Sequence, residues 1–276
     1  WNSWVKTSSD KVSCAFLTTL TGTLIALLLF ALSRGFSPGS LAPPVLALAI
    51  LSGLIEALYI IVLFAAYDRV DLSVAYPLSR GLAPLVSILP GALLLHDTLG
   101  LAQCGGVALI VSGVSCVAWS AIKQARNLPA VRRGLALALI TGTLIAAYHV
   151  VDRRAMTLNP APAPLEYFFL MHLALMVFIS IWVFMAASRR RRAFREWHGN
   201  PRAIVLVGVF SVVAYTLIIT ALAHGNVTVV AATRNIGIVL STVVGALALH
   251  EKVTPTRVIG ALLVTVGVGC LVWFGP

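Results

Sequence analysis

Residues 80–96 read RGLAPLVSILPGALLLH, and residues 234–250 read RNIGIVLSTVVGALALH, so one pattern returns after 154 positions. The match runs on to Cys116 and Cys270, with 12 identities in 37 aligned positions and no gap. Unrelated apolar helices use a narrow set of residues, yet they would agree at only about one position in ten. The chain therefore contains an internal duplication, and each copy carries one arginine within an apolar stretch.

The composition indicates a protein whose solvent is the lipid bilayer. With 59% hydrophobic and 11% charged residues, the chain has too few polar residues to cover a water-soluble globule. The net charge of +11 comes from Lys and Arg in the short segments between apolar runs, which is typical of membrane topology and argues against a nucleic-acid partner. We therefore expect an all-α integral membrane protein.

The sequence lacks the common patterns of catalytic and metal sites. There is no HExxH, GxSxG or P-loop pattern, and the four cysteines lie in apolar runs without CxxC spacing. We therefore predict no enzyme activity, no metal site and no cofactor.

Nine apolar runs are long enough to cross a hydrocarbon core of about 30 Å. They lie at about 12–33, 45–66, 74–95, 100–121, 134–152, 164–187, 202–223, 227–250 and 256–274. Pairing these runs through the repeat leaves 134–152 without a counterpart, unless Trp1 to Lys6 end a truncated first helix. We predict ten transmembrane helices in two inverted five-helix repeats, at 1–121 and 134–276, joined by a linker at 122–133.

The positive charges predict which connections face the cytoplasm. When the predicted helices are numbered one to ten, the odd-numbered connections hold fifteen Lys and Arg residues and the even-numbered ones hold three. The positive-inside rule then places the odd connections in the cytoplasm and both termini outside. Five helices per repeat give the two copies opposite orientations.

These features resemble the ten-helix, EamA-type branch of the drug/metabolite transporter superfamily. The resemblance is carried by the two repeats, by Trp1-Asn2-(x)3-Lys6, by the stretch Tyr76-Pro77-Leu78-Ser79-Arg80-Gly81, and by the acidic residues that follow His96 and His250. Many members have a Gly-Glu pair at that last position, where this chain has His96-Asp97 and His250-Glu251. The resemblance implies an exporter or exchanger of small metabolites in the inner membrane of a bacterium, and it leaves the cargo open.

Arg80 and Arg234 are the strongest candidates for a binding site. Each lies about six residues inside a predicted helix, at mirrored depths, where a charge costs on the order of 3 kcal/mol and should face a cavity or a partner. One interpretation is a pair of sites for a carboxylate or phosphate; the other is an ion pair with Glu56 or Asp152. Asn235 would join Arg234 only if the helix is irregular there.

Further candidates surround these arginines in the predicted helices. The resemblance implies a central cavity lined by helices that carry Trp1, Tyr59, Tyr76, Tyr148 and Tyr215, so these residues are expected to contact substrate. Coupling or gating is predicted for Glu56, Asp152, His149 and His172. The alternatives are an ion pair with Arg80 for Glu56, interfacial anchoring for Tyr148 and Asp152, and a core histidine for His172.

We therefore expect a secondary transporter of a small anionic or zwitterionic metabolite, such as an amino acid or a phosphorylated compound, with protons as a candidate coupling ion. A flippase for a lipid or a lipid-linked phosphate is one alternative, and a non-transporting membrane interaction subunit with structural arginines is another. The expected partners are the substrate and membrane lipids, in a monomer or a homodimer. The glycines at a spacing of seven, Gly106/Gly113 and Gly260/Gly267, predict close helix packing within the chain or between copies.

Overall fold

The computed structural model describes residues 11–32, 36–37, 39–70, 72–125, 129–199, 201–239 and 255–274. Within these ranges it contains ten helices with defined bounds, a further helical segment at 236–239 and no strand. The helices are α1 (Lys11–Leu32), α2 (Pro43–Tyr67), α3 (Leu72–Leu94), α4 (Leu101–Ala125), α5 (Pro129–Met156), α6 (Pro164–Phe184), α7 (Ala187–Gly199), α8 (Pro201–His224), α9 (Val227–Thr233) and α10 (Pro255–Trp273). All nine predicted spans contain a helix, whereas α7 lies in a predicted connection.

The described part of the chain is an all-α membrane protein, as the composition predicts. Five of its helices, α1, α2, α5, α6 and α8, are long and apolar enough to cross a membrane. The predicted end of a first helix at Trp1 to Lys6 lies outside the described residues.

The chain divides into two compact units, and each takes segments from both predicted repeats. The first unit combines Trp1–Phe64 with Val151–His224, and the second combines Ala65–Val150 with Gly225–Pro276. The repeat boundaries at 1–121 and 134–276 remain a prediction.

The first unit is built around the threonine-rich helix α1, which packs against α6 and α8. The hydroxyls of Thr18, Thr21 and Thr23 bond back to carbonyls of their own helix, so these polar groups are satisfied without water. A Cβ at Gly208 of α8 would lie only 2.3 Å from Thr21 Oγ1. Because glycine carries no side chain, α8 can approach this face of α1 closely.

In the second unit, α4 and α10 pack through the two glycine pairs identified in the sequence. A Cβ at Gly106 would lie 3.1 Å from the Gly267 carbonyl oxygen, and one at Gly113 would lie 2.6 Å from that of Gly260. The offset of 154 exchanges these two contacts, which is the reciprocal pattern of a two-fold interface. The glycines therefore pack against one another within a single chain.

The second unit also joins the end of α3 to the start of α9. His96 follows α3 with φ 55°, the left-handed region that glycine adopts most easily. After this turn, Asp97 Oδ2 accepts a hydrogen bond of 2.8 Å from the backbone N–H of Val227, and Asn226 Nδ2 donates to the Thr98 carbonyl at 2.6 Å. Asp97, one of the acidic residues on which the family resemblance rests, thus caps the start of α9 through its side chain, although the N-cap residue itself is Asn226.

Candidate functional site

Arg234 and Asn235 lie at an interruption of a helix in the second unit. Helix α9 ends at Thr233, Arg234 and Asn235 form a turn, and residues 236–239 are helical again. Three backbone bonds here reach back only three residues: Asn235 N to Ala232 O and Ile238 N to Asn235 O at 2.9 Å each, and Gly237 N to Arg234 O at 3.3 Å. The helix is therefore irregular at Arg234 and Asn235. The sequence analysis made such an irregularity the condition for Asn235 to join Arg234 in one site.

The Arg234 guanidinium contacts two buried side chains of α5. Its Nη1 donates to His149 Nε2 and, at 3.5 Å, to the Tyr148 hydroxyl. Both residues are only 1% exposed. Because arginine carries donors and no acceptor, His149 Nε2 must accept, and the imidazole proton lies on Nδ1. That Nδ1 is buried and has no hydrogen-bond partner among the described residues.

Arg80 and Tyr76 lie on one face of α3, as their spacing of four predicts. The Arg80 Cζ is 5.4 Å from the centre of the Tyr76 ring, a cation–π distance. The Tyr76 hydroxyl is 3.7 Å from the position that a Cβ would take at Gly237, just beyond the helix interruption. Both arginines also act electrostatically on the His149 ring. The second unit thus brings together five of the predicted site residues, Arg80, Arg234, Tyr76, Tyr148 and His149, and Asn235 follows Arg234 in the turn.

Asn235, the residue after Arg234, is an unusual polar residue of the second unit. Its side chain is 1% exposed, and neither Nδ2 nor Oδ1 has a hydrogen-bond partner among the described residues. A buried amide without partners costs on the order of 1–3 kcal/mol. The Asn235 amide therefore has one donor group and one acceptor group that the described residues leave without a partner.

The first unit contains a separate acidic cluster around Asp152, which is fully buried. Three hydroxyl groups donate to its carboxylate: Ser52 to Oδ1 at 2.5 Å, Tyr167 to Oδ1 at 2.9 Å and Tyr215 to Oδ2 at 2.8 Å. Glu56, one turn after Ser52 on α2, is also buried and acts electrostatically on Tyr167. The predicted residues Asp152, Tyr215 and Glu56 therefore belong to one cluster.

The remaining predicted residues are Tyr59 and His172, which also belong to the first unit, and Trp1. Tyr59 is half-buried on α2. His172 is buried, its ring lies 4.7 Å from that of Phe168, and its two nitrogens have no hydrogen-bond partner among the described residues. Trp1 lies outside the described residues.

Burial decides against one alternative interpretation. Tyr148 and Asp152 lie near a helix end, as interfacial anchors do, yet they are 1% and 0% exposed. Anchors of an interfacial belt face the lipid headgroups, so this interpretation is wrong for both residues. The alternative of ion pairs between the arginines and Glu56 or Asp152 stays a prediction.

Sequence reasoning missed four residues of the first unit that bind carboxylates. Ser52 and Tyr167 bind Asp152, while Ser37 and Ser40 bind Glu166 through their hydroxyls. Ser52 could have been found, because it lies one turn before Glu56 on the same helix face. The others carried no signal, since their partners are distant in sequence.

The described residues contain no group of three or more His, Cys, Asp and Glu that could hold a metal ion. The site chemistry rests instead on two arginines, hydroxyl groups and one amide. Such a set can bind an anion bidentately and hydrogen-bond a second polar group of the same molecule.

Comparison with known proteins finds one family model that matches this chain and a solved structure with the same fold. The model of the EamA-like transporter family matches residues 132–273. A solved crystal structure of a protein is similar over 97% of this chain and 90% of its own, with a TM-score of 0.70 and 19% sequence identity, which shows a shared fold. A search of curated proteins found no match.

Proposed function

Because the chain belongs to the EamA-like transporter family, we propose that it carries a small anionic or zwitterionic metabolite across the membrane by alternating access. The cargo is an amino acid or a phosphorylated compound, and the transport is export or exchange. We place the protein in the inner membrane of a bacterium, with the odd-numbered connections in the cytoplasm.

The observation that carries this proposal is the interrupted helix at Arg234 and Asn235. Many secondary transporters bind their substrates where a transmembrane helix is interrupted, because free backbone and side-chain groups are available there. Arg234 supplies a fixed positive charge at this point, and Arg80 lies close enough to act on the same imidazole. A carboxylate or phosphate between two arginines would offset the free energy of keeping these charges in the membrane.

Asn235 narrows the chemistry of the cargo. A molecule with only an anionic group would leave the Asn235 amide without partners. An amino acid or a hydroxylated phosphate carries a second polar group that can accept from Nδ2 or donate to Oδ1. We therefore assign the anionic end of the cargo to the arginines and its second polar group to Asn235.

We assign coupling to the acidic cluster of the first unit. Three hydroxyl groups already bind the Asp152 carboxylate, which suits a positioning role. Glu56 is buried on the neighbouring turn of α2 and is the proposed proton carrier. Transport by a Glu56→Gln variant should then no longer respond to an imposed proton gradient, while exchange without a gradient persists.

The proposal is tested with purified protein in two steps. A thermal-shift screen of amino acids and phosphorylated metabolites first identifies a ligand, because binding to the native state raises the apparent melting temperature. Counterflow of that ligand, radiolabelled, is then measured in proteoliposomes. Arg80→Gln and Arg234→Gln should each lower the flux at least about tenfold, since a charged hydrogen bond contributes on the order of 1.5–3 kcal/mol.

Arg202→Gln is the matched control, because Arg202 is exposed at the start of α8 and lies outside both clusters. Wild-type flux in correctly folded Arg80→Gln and Arg234→Gln proteins would contradict the site. The same vesicles, loaded with a fluorescent anionic phospholipid, report flipping. Lipid movement without metabolite flux would contradict metabolite transport and support the alternative of a lipid flippase.

A further inference from the structure

Helix α7, Ala187–Gly199, lies outside both clusters and has two different sides. Ala193 and Glu196 are buried, and Arg189 and Arg192 are half-buried, at spacings of three, four and seven that define one face. Helix α7 packs against α1, α6 and α8 of the first unit. One side of this arginine-rich helix is therefore fixed to the protein.

Arg189 takes part in that packing. Its guanidinium lies 4.1 Å above the Trp182 ring, and its Nη1 donates to the Trp182 carbonyl at 2.7 Å. These contacts tie the start of α7 to the end of α6. Arg189 is thus a packing residue, and the outward charge of the helix resides in other arginines.

The outward side of α7 combines arginines with aromatic rings. Arg190, Arg191 and Arg195 are exposed, and so are Phe194 at 73% and Trp197 at 38%. At 3.6 residues per turn, Phe194, Trp197 and Arg190 share one stripe, and Arg191 and Arg195 form the stripe beside it. An aromatic stripe next to a basic stripe is typical of a helix that lies in the membrane interface.

The position of α7 in the chain matches this pattern. Only Met185 and Ala186 separate it from α6, and one residue separates it from α8. Both neighbours are long and apolar enough to cross a membrane, so α7 connects two membrane-crossing helices at the same face of the bilayer. We propose that α7 binds anionic phospholipids of that bilayer, with Arg190, Arg191 and Arg195 on the phosphate groups and Phe194 and Trp197 inserted below them.

The proposal predicts a preference for net negative lipids. Zwitterionic phosphatidylcholine carries a compensating positive charge, whereas phosphatidylglycerol leaves its phosphate to the arginines. Each arginine near an anionic surface strengthens binding roughly fivefold. Delipidated protein in detergent should therefore bind phosphatidylglycerol more tightly than phosphatidylcholine, as measured by native mass spectrometry during lipid titration.

Removing the outward charge tests the surface directly. Arg190→Gln/Arg191→Gln should weaken phosphatidylglycerol binding roughly 30-fold and leave phosphatidylcholine binding unchanged. The matched control is Arg132→Gln/Arg133→Gln, another exposed neighbouring pair, near the start of α5, which should bind like wild type. Arg195→Gln, with an expected loss of about fivefold, provides a second reading if the double variant folds poorly.

Three outcomes would overturn the proposal. These are unchanged phosphatidylglycerol binding in both α7 variants, an equal loss in the control pair, and equal binding of the two lipids by wild type. An equal loss in the control would mean general attraction by the positively charged surface. Because no substrate is used, the test is independent of the proposed transport.

Discussion

At the scale of single residues, the buried Asp152 carboxylate is the clearest case of a polar group whose burial depends on its neighbours. Ser52, Tyr167 and Tyr215 all donate to it, and they come from three different helices. Hydrogen bonds to a charged group contribute on the order of 1.5–3 kcal/mol each, more than bonds between neutral groups. The three hydroxyls therefore make an otherwise costly buried charge compatible with the core of the first unit.

We expect Asp152→Asn to lower the free energy of unfolding by about 1–3 kcal/mol, because one carboxylate oxygen is replaced by an amide donor that faces a hydroxyl donor. The measurement is the thermal unfolding of purified protein in detergent. Asp68→Asn makes the same chemical change at an exposed position and should leave the midpoint unchanged. Equal midpoints for wild type and Asp152→Asn would show that the charge is not what the hydroxyls stabilise.

At position 96 this chain carries histidine where the family resemblance implies the glycine of a Gly-Glu pair. The resemblance to EamA-type transporters implies glycine at this position, and the positive φ of His96 is a conformation that glycine adopts at little cost. A left-handed conformation costs a side chain with a Cβ roughly 1–2 kcal/mol, and glycine avoids this term.

His96→Gly should therefore raise the melting temperature or leave it unchanged, although glycine also gains entropy in the unfolded chain. His198→Gly is the contrasting variant, because His198 lies in α7 and a helical glycine costs up to about 1 kcal/mol. If His96→Gly lowers the melting temperature as much as His198→Gly does, backbone strain at His96 is not significant. Thermal unfolding of both variants decides the point.

At the scale of elements, the α4–α10 contact depends on the absence of side chains at a few positions. A Cβ at Gly113 would lie 2.6 Å from a backbone oxygen, and one at Gly267 would lie 2.7 Å from another. Backbone cannot move aside as a flexible side chain can. Gly105 and Gly269, on the same two helices, have nothing within 4 Å of the corresponding position.

Gly113→Ala and Gly267→Ala should each destabilise the protein by about 1–3 kcal/mol through overpacking. Gly105→Ala and Gly269→Ala should be neutral or slightly stabilising, because alanine favours the helix where space is open. The four variants are compared by chemical denaturation under identical conditions. A uniform effect across all four would mean that helix propensity, rather than close packing, governs this pair.

The cap of α9 is a second element-scale feature with a direct test. Asp97→Ala removes the acceptor for the Val227 N–H and should weaken the start of α9 by about 1 kcal/mol, whereas Asp97→Asn keeps an acceptor and should lose less. Hydrogen exchange of the segment Val227–Thr233 should become faster in Asp97→Ala. Exchange in Pro164–Phe184, which belongs to the other unit, serves as the internal control and should not change.

The elements were predictable from the sequence to the extent that length and apolar composition define them. All nine runs contain helices because a run of about 20 apolar residues has no other stable form in a bilayer. Helix α7 was missed because its arginines resemble a solvated connection, and only its packing shows that one face is buried. The interruption at Arg234 and Asn235 contains no proline, so the sequence alone did not predict that the helix is interrupted there.

The sequence supplied candidates for the site but did not predict how they are arranged. An arginine in an apolar run is easily recognised, and Tyr76 follows from helical spacing, so the residues of the second-unit cluster are among the candidates named from the sequence. The contacts of Arg234 with His149 and Tyr148 join residues 85 and 86 positions apart, and no local pattern reports such contacts. No local pattern reports the hydrogen bond from Tyr167 to Asp152 either, because Tyr167 is an ordinary aromatic residue in an apolar run.

At the scale of the whole molecule, the central prediction is that the two repeats have opposite orientations in the membrane. The reciprocal glycine contacts of α4 and α10 have the symmetry that such a duplication would give. The unequal distribution of positive charge between odd and even connections is an independent property of the chain, and it also predicts opposite orientations of the two repeats. Positions related by the offset of 154 should then lie on opposite sides of the bilayer.

Thr98 and Lys252 form such a pair, and the sequence predicts both in connections, so they suit a test by cysteine labelling. In a background with the four natural cysteines replaced, Thr98→Cys should react with a membrane-impermeant maleimide added to intact cells, and Lys252→Cys should react only after permeabilisation. Ser188→Cys, in the arginine-rich connection, should behave like Lys252→Cys because the positive-inside rule places both in the cytoplasm. Labelling of Thr98→Cys and Lys252→Cys from the same side would mean parallel repeats. Alternating access could then no longer result from two inverted repeats that move against each other. This would hold even if Arg80 and Arg234 still bound the cargo.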